Sequence, residues 1–125
     1  MLNFRKIGLV IPAVLFLVMG LRWLVDPQSS AADLGFVLAD GLGRSSQIAD
    51  LGAFFLTTAL CLLFGVVTGQ RLWFYPPAML LLLAALGRLL AWALHDATFA
   101  GNLILFEVVV AVLVLVLSRG LAPRR

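Results

Sequence analysis

Four long apolar runs, separated by short polar connections, account for most of the chain. A membrane-spanning helix needs about 20 predominantly apolar residues, and each run is close to that length. The pattern therefore predicts an all-α transmembrane four-helix bundle that forms one domain over residues 1–125. The predicted spans are residues 7–25, 47–67, 72–94 and 99–118.

The only sizeable polar connection is the outer loop over residues 26–46. Within it, residues 31–40 have a mildly amphipathic pattern, with Ser30 placed to cap a helix and Asp33 three residues further on. We expect a short interfacial helix here, lying on the membrane surface. A turn over residues 41–46 is expected to lead into the second span.

Composition supports a membrane protein, because 63% of the residues are hydrophobic and 12% are charged. Soluble domains are usually about 45–50% apolar and about 25% charged. The formal net charge is +3, but the basic residues are scattered along the chain, so we expect no nucleic-acid binding. Membrane lipids are the expected surroundings.

The distribution of Lys and Arg predicts the orientation of the spans. Most basic residues fall on one side of the membrane, whereas Arg44 falls on the other, with Arg22 at its border. The apolar run of the first span is longer than a signal peptide's run of about 7–15 residues, and Arg22 interrupts its end, so we interpret the span as a retained anchor. We expect a multi-pass protein of the bacterial inner membrane with both termini in the cytoplasm. The residues on the cytoplasmic side are Arg5, Lys6, Arg71, Arg119, Arg124 and Arg125.

Arg88 and Glu107 are the only charged residues inside the third and fourth spans. A charge in hydrocarbon costs about 2.5–3.5 kcal/mol on insertion scales, which favours pairing of opposite charges. At a rise of about 1.5 Å per residue, the two lie about 9 and 12 Å from the same membrane face. We predict an ion pair, in which the Arg fork binds the carboxylate through two hydrogen bonds. The pair either fixes the register of the two helices, which we favour, or forms a polar site for a ligand or a proton.

A wider set of polar residues is expected in the outer half of the membrane. One hypothesis is a single hydrogen-bonded network that draws on all four spans and opens toward the outer face. Asp50 is expected in the first turn of the second span, where an acid complements the helix dipole. The alternative is a group of separate interfacial charges around one structural ion pair. The members are Arg22, Arg44, Asp50, Arg88, His95, Asp96, Asn102 and Glu107.

Small residues recur at every fourth position of the second span and end in a literal G-x-x-x-G. Such ladders let membrane helices approach closely. The ladder drifts by about 40° per step on a helix of 3.6 residues per turn, so it could contact two neighbours. We favour packing inside the monomer over formation of a homodimer. The residues are Ala49, Ala53, Thr57, Cys61, Gly65 and Gly69.

Several chemistries lack the residues that they need. A bis-His haem needs two histidines, and the chain has only His95. A zinc site needs a cluster of His, Cys or acidic ligands, whereas Cys61 is deep in a span and remote from His95. No P-loop or dinucleotide-binding motif is present. We therefore predict no metal and no cofactor, and an enzyme that uses His95, Asp96 and Glu107 is the least favoured function.

Short motifs are distributed along nearly the whole chain. Gly20-Leu21-Arg22 ends the first span and is followed by Pro27, Leu86-Gly87-Arg88 lies in the third span, and Glu107 lies in the fourth. This arrangement resembles the DUF4345 family of small bacterial membrane proteins and, loosely, the DoxX-like four-helix proteins. The resemblance implies a fold rather than an activity, and it carries over Arg22, Arg88 and Glu107.

Two functions remain open from the sequence. The favoured one is a non-enzymatic inner-membrane protein of uncharacterised role, acting as an accessory or complex subunit, with other membrane subunits or a second copy of the chain as its partner. The alternative is an outward-facing binding or transport module for a small polar or amphipathic ligand at Arg88 and Glu107. A cavity at Arg88 would favour binding, whereas tight closure over the pair would favour a structural role.

Overall fold

The computed structural model describes residues 3–121, which form helices joined by short connections and contain no β-strand. Within this range, four helices are long and apolar enough to cross a membrane, which confirms the predicted all-α fold with four spans. Arg124 and Arg125, which the predicted orientation also uses, lie outside the described residues. The elements are α1 (Phe4–Val25), α2 (Pro27–Asp33), α3 (Gly41–Thr68), a 3-10 helix (Arg71–Phe74), α4 (Tyr75–Leu94) and α5 (Gly101–Ser118).

The long helices alternate in direction, so each end of the bundle collects the ends of all four. The end formed by Phe4, Thr68, Tyr75 and Ser118 is the closed end, and the end formed by Val25, Gly41, Leu94 and Gly101 is the open end.

Helices α1 and α3 pack against each other more extensively than any other two helices of the described chain. Glycines allow this close approach: a Cβ atom on Gly20 would lie 2.7 Å from Leu56, and one on Gly52 would lie 3.2 Å from Leu24. The buried residues of α1 run from Leu9 to Trp23, so the contact extends over nearly the whole helix. Close packing of this kind holds helices together in lipid, where apolar burial supplies no net drive.

Helices α4 and α5 form the second pair, which packs on the first pair mainly toward the closed end. The buried residues of α4 lie between Pro77 and Ala85, and those of α5 lie between Glu107 and Ser118. Between Ala85 of α4 and Glu107 of α5, the part of the chain that the structure describes contributes no buried residue. The two pairs therefore diverge toward the open end.

The closed end is held by close packing and by caps. Phe74 is fully buried, and its ring lies where a Cβ atom on Gly65 would come within 2.5 Å of it. Gly69 ends α3 with φ 71°, a left-handed conformation that glycine adopts without strain. The Arg5 guanidinium donates to two backbone carbonyls in the last turn of α5, at 3.4 and 3.3 Å. The Val116 carbonyl also accepts from the backbone N–H of Arg119 at 3.2 Å, but carbonyls in a last turn lack the usual donor four residues further on, so the arginine helps to cap the helix.

The short helix of the first loop is present, but it lies earlier than the sequence pattern predicts. It covers Pro27–Asp33, and residues 34–40 are not helical, so the predicted helix at 31–40 is wrong in position. Asp26 caps it by accepting from the backbone N–H of Ser29 at 3.4 Å. Ser30, the predicted cap, lies inside the helix. The reason is that an acidic cap followed by proline at the first position starts a helix more effectively than a weak amphipathic pattern does.

Helix α3 begins at Gly41, so the predicted turn over residues 41–46 is wrong. A long helix extends at little cost, and an internal glycine opposes this by only about 1 kcal/mol. With 28 residues the helix is about 42 Å long, which exceeds the hydrocarbon core of about 30 Å. Asp50 therefore lies in the third turn, and the predicted interaction with the helix dipole in the first turn is lost. The other boundaries that shift are those predicted at residues 7, 67, 72 and 99, which the structure places at 4, 68, 75 (after the 3-10 helix) and 101.

Candidate functional site

The structure brings Arg88 of α4 and Glu107 of α5 together. The Arg88 Nε atom donates to Oε1 of Glu107 at 2.6 Å. The Glu107 side chain is 8% exposed and the Arg88 side chain is 32% exposed, so the carboxylate is buried while part of the guanidinium is accessible. The pair lies where α4 and α5 leave the packed half of the bundle.

The ion pair uses one hydrogen bond, so the predicted two-bond fork is wrong. Within residues 3–121, the Nε–Oε1 bond is the only side-chain hydrogen bond of either residue. No fully buried side-chain nitrogen or oxygen in this range lacks a partner. The Nη1 and Nη2 groups of Arg88 and the Oε2 atom of Glu107 are therefore accessible. The pair keeps both donors and an acceptor for another molecule.

A partly open cavity of about 180 Å³ adjoins the pair. It lies between the two helix pairs, where they diverge, and it has contributions from all four spans. Apart from Arg88 and Glu107 the lining is apolar, and phenylalanine is the commonest residue in it. The lining phenylalanines are Phe16, Phe36, Phe54, Phe55 and Phe106.

Residues 34–40, which we name the cover loop, contribute to the cavity wall at the open end. Leu34 and Phe36 line the cavity. The backbone N–H of Phe36 donates to the carbonyl of Ala31 at 2.8 Å, and its ring packs edge-on against Trp23 with centroids 6.3 Å apart. The cover loop is thus fixed to α1 and α2 on one side.

On the other side, Gln47 fixes the cover loop to α3. Its Oε1 atom accepts from the backbone N–H of Ala39 at 2.8 Å, and its Nε2 atom donates to the carbonyl of Val37 at 3.3 Å. The Nε atom of Arg44 also donates to the carbonyl of Ala39 at 2.9 Å. Gln47 was not among the functional residues predicted from the sequence. The sequence feature that could have identified it is a lone amide side chain at the start of an otherwise apolar run.

The single network predicted for the outer half does not form among the described residues. Arg22 pairs with Asp33 of α2 at 3.1 Å, and Arg44 pairs with Asp40 at 3.1 Å. Asp50 is exposed and makes no ion pair with another described residue. Helices α2 and α3 begin earlier than predicted, which explains the difference. The earlier starts place an acidic residue nearer to each arginine and place Asp50 further from the first turn of α3.

Three predicted polar residues lie outside the cavity. His95, Asp96 and Asn102 are exposed at the connection between α4 and α5, and none of them lines the cavity. Asp96 adopts φ 56° in that turn. Within residues 3–121, no three His, Cys, Asp or Glu side chains come together in a way that could hold a metal ion.

The small-residue ladder of α3 is divided between two surroundings. Its first three members are exposed, so the expected packing inside the monomer is wrong for them. Cys61 is half-buried, while Gly65 and Gly69 are buried at the closed end. A different side of α3 faces the interior, because α1 packs on that side through Gly20 and Gly52. The exposed members are Ala49, Ala53 and Thr57.

The fold and the cavity define a small four-helix membrane protein with an ion pair in the wall of a partly open cavity. Residues 4–118 match DUF4345, a domain of unknown function, and the chain belongs to that family. Comparisons with curated proteins and with solved structures give no match. The looser likeness to DoxX-like proteins and the bacterial source stay predictions from the sequence.

Proposed function

We propose that this protein is a membrane-embedded binding module that holds one small amphipathic molecule beside Arg88 and Glu107. The observation that carries this proposal is the cavity at the ion pair. A pair that only locked two helices would be enclosed by packed side chains. Here it borders a cavity and keeps accessible donors and an acceptor.

The size of the cavity limits what can be bound. Its volume of about 180 Å³ slightly exceeds that of an engineered apolar cavity of about 150 Å³ that binds benzene. It therefore suits a single ring or a short stretch of alkyl chain. Ligand pockets that combine apolar walls with a few polar groups orient the ligand through those groups. The polar end of the ligand would contact Arg88 and Glu107, and its apolar part would contact the phenylalanines.

We further propose that the open end faces the outside of a bacterial inner membrane and that both termini are cytoplasmic. The basis is the excess of basic residues near the closed end. Those among the described residues are Arg5, Lys6, Arg71 and Arg119.

Photolabelling tests the binding function. The full chain is placed in lipid nanodiscs, exposed to a fatty alcohol that carries a diazirine, irradiated and digested, and the labelled peptides are identified by mass. We expect saturable labelling of cavity residues such as Phe54 and Phe106. The double variant Arg88→Leu/Glu107→Leu should lose it, because the polar contacts are gone.

The matched control is Arg22→Leu/Asp33→Leu, which removes an exposed ion pair and leaves the cavity intact. It should label as the wild type does. Wild-type labelling that cannot be saturated, or full labelling of the Arg88→Leu/Glu107→Leu variant, contradicts the proposed function.

A subunit of a larger membrane complex is the second candidate. The observation in its favour is the exposed part of the ladder, since small residues let another helix approach closely. An Ala53→Cys variant in a Cys61→Ala background tests it by crosslinking in native membranes. Crosslinks at this position, and not at the exposed Leu83→Cys of α4 in the same background, would support a partner on this side of α3.

A further inference from the structure

We propose that the ligand is a membrane-dissolved, single-chain amphiphile with a neutral polar group, and that it enters the cavity sideways between α3 and α4. This inference rests on the proposed function, because it specifies the ligand class and the route for the same cavity. The competing route leads from water through the open end.

On the side of the open end, the cover loop forms part of the cavity wall. Leu34 and Phe36 contribute to the cavity wall on this side. Gln47 holds the loop through two hydrogen bonds, and Arg44 adds a third. Entry from water would require these bonds to break.

Across three of the four gaps between neighbouring spans, specific contacts join the helices near the cavity. Gly20 brings α1 against Leu56 of α3. Phe16 of α1 contacts Phe106 of α5 edge-on, with centroids 6.1 Å apart. The Arg88–Glu107 ion pair joins α4 to α5.

The gap between α3 and α4 is different. Across residues 3–121, no hydrogen bond, ion pair or aromatic pair joins these two helices directly. Of their cavity-lining residues, Phe54 and Ala84 are half-buried, and Ala84 is small, while Phe55 and Leu81 are buried. On the next turn of α4, a Cβ atom on Gly87 would meet no atom within 4 Å. The Arg88 side chain is also more exposed than the Glu107 side chain, so more of the pair's accessible polar surface belongs to α4.

The depth of this gap indicates the class of ligand. Arg88 lies six residues before the end of α4 at Leu94, which is about 9 Å along the helix. The gap therefore opens mainly into hydrocarbon, where dissolved amphiphiles are concentrated and free ions are excluded. A phosphodiester headgroup would have to leave the membrane surface to reach Arg88, whereas a hydroxyl, ester or amide group on a single chain reaches this depth readily.

The charge of the pair indicates the polar group. Arg88 and Glu107 together carry no net charge, and they offer N–H donors beside one free carboxylate oxygen. A hydroxyl group can accept from Arg88 while donating to Glu107. A carboxylate would be repelled by the Glu107 oxygen that a hydroxyl would use.

The rate of photolabelling by the diazirine fatty alcohol in nanodiscs distinguishes the routes. Gly87→Trp places a large side chain on α4 next to Arg88, where the glycine faces open space, and should lower the labelling rate about fivefold at short times, within the range over which association rates vary among variants of one site. Labelling at long times should be unchanged. Leu83→Trp, at another exposed position of α4, is the matched control and should label at the wild-type rate. Gly87→Leu is read in the same way if Gly87→Trp does not fold.

Gln47→Ala tests the competing route, because it frees the cover loop without touching the gap. Lateral entry predicts an unchanged labelling rate in this variant. Faster labelling of Gln47→Ala, or a wild-type rate in Gly87→Trp, overturns the lateral route while saturable labelling leaves the proposed function standing. Absence of saturable labelling in the wild type instead overturns the proposed function itself.

A diazirine fatty acid of the same chain length tests the polar group. We expect the half-saturating concentration of the alcohol to be about tenfold lower than that of the ionised acid, since one lost hydrogen bond to a charged group is worth about that factor. Equal or stronger labelling by the acid overturns the assignment of a neutral polar group.

Discussion

Phe74 at the closed end and Phe106 near the open end are the same kind of side chain in different surroundings. Phe74 is fully buried, and its ring is accommodated by the absence of a side chain at Gly65. Phe106 is 36% exposed and borders the cavity, where it meets another large ring, Phe16. In lipid, helices are held together by close packing rather than by apolar burial. A large residue opposite a glycine therefore allows close packing, whereas Phe106 and Phe16 meet edge to face beside the cavity.

The charged residues at the closed end and toward the open end also have different surroundings. At the closed end, Arg5 of α1 donates to backbone carbonyls of α5 and so links these two helices. Toward the open end, Arg88 and Glu107 lie in the cavity wall, and the polar atoms outside their hydrogen bond can bind another molecule. The closed end thus supplies the close packing that stabilises the bundle. The half in which the two helix pairs diverge contains the cavity in which binding is proposed.

The sharpest test of this contrast compares two Phe→Ala variants. Phe74→Ala should lower the free energy of unfolding by about 3–5 kcal/mol, because it leaves a buried cavity beside Gly65. Phe106→Ala should cost about 1 kcal/mol, because its side chain already borders open space. Unfolding by SDS in mixed micelles measures both. Equal losses would mean that the two ends are equally packed.

Removal of one member of the ion pair should have the next largest effect. Glu107→Leu leaves the Arg88 guanidinium without its partner and should cost about 2–3 kcal/mol, toward the lower end of buried-pair values because Arg88 is partly exposed. Arg88→Leu/Glu107→Leu should return to within about 1 kcal/mol of the wild type. The same unfolding titration gives both values. A double variant less stable than Glu107→Leu would show that the pair is needed to hold the helices.

Loosening the cover loop should have a local effect. Gln47→Ala removes two hydrogen bonds to the loop, each worth about 1 kcal/mol, while the closed end is untouched. Amide hydrogen exchange should become faster at Ala39 and Phe36 and stay unchanged at the end of α5. Slow exchange of the cover loop in this variant would show that Phe36 and Arg44 suffice to hold it.

The smallest expected effect concerns the exposed ion pair at the open end. Asp33→Asn removes the charge partner of Arg22, whose side chain is 44% exposed. Exposed pairs are worth about 0–1 kcal/mol, so the free energy of unfolding should change by about 0.5 kcal/mol or less. A loss comparable with that of Glu107→Leu would show that the open end depends on its surface charges after all.

Sequence reasoning alone was enough for the number of spans and for the meeting of Arg88 with Glu107. Four runs of membrane length leave few other folds, because every backbone group in lipid needs an internal partner. Two opposite charges at similar depth on helices joined by a short turn have no nearer partner than each other.

Which side of each helix faces inward was decided only by tertiary structure. Lipid tails and a bundle interior are both apolar, so hydrophobicity does not distinguish them. This is why Ala49 and Ala53, placed by the pattern at a helix contact, are exposed, while Gly52 and Ala59 are buried. The cavity also depends on tertiary structure, because it forms where large residues of distant segments meet between the two diverging helix pairs. No local sequence pattern indicates which of these residues meet.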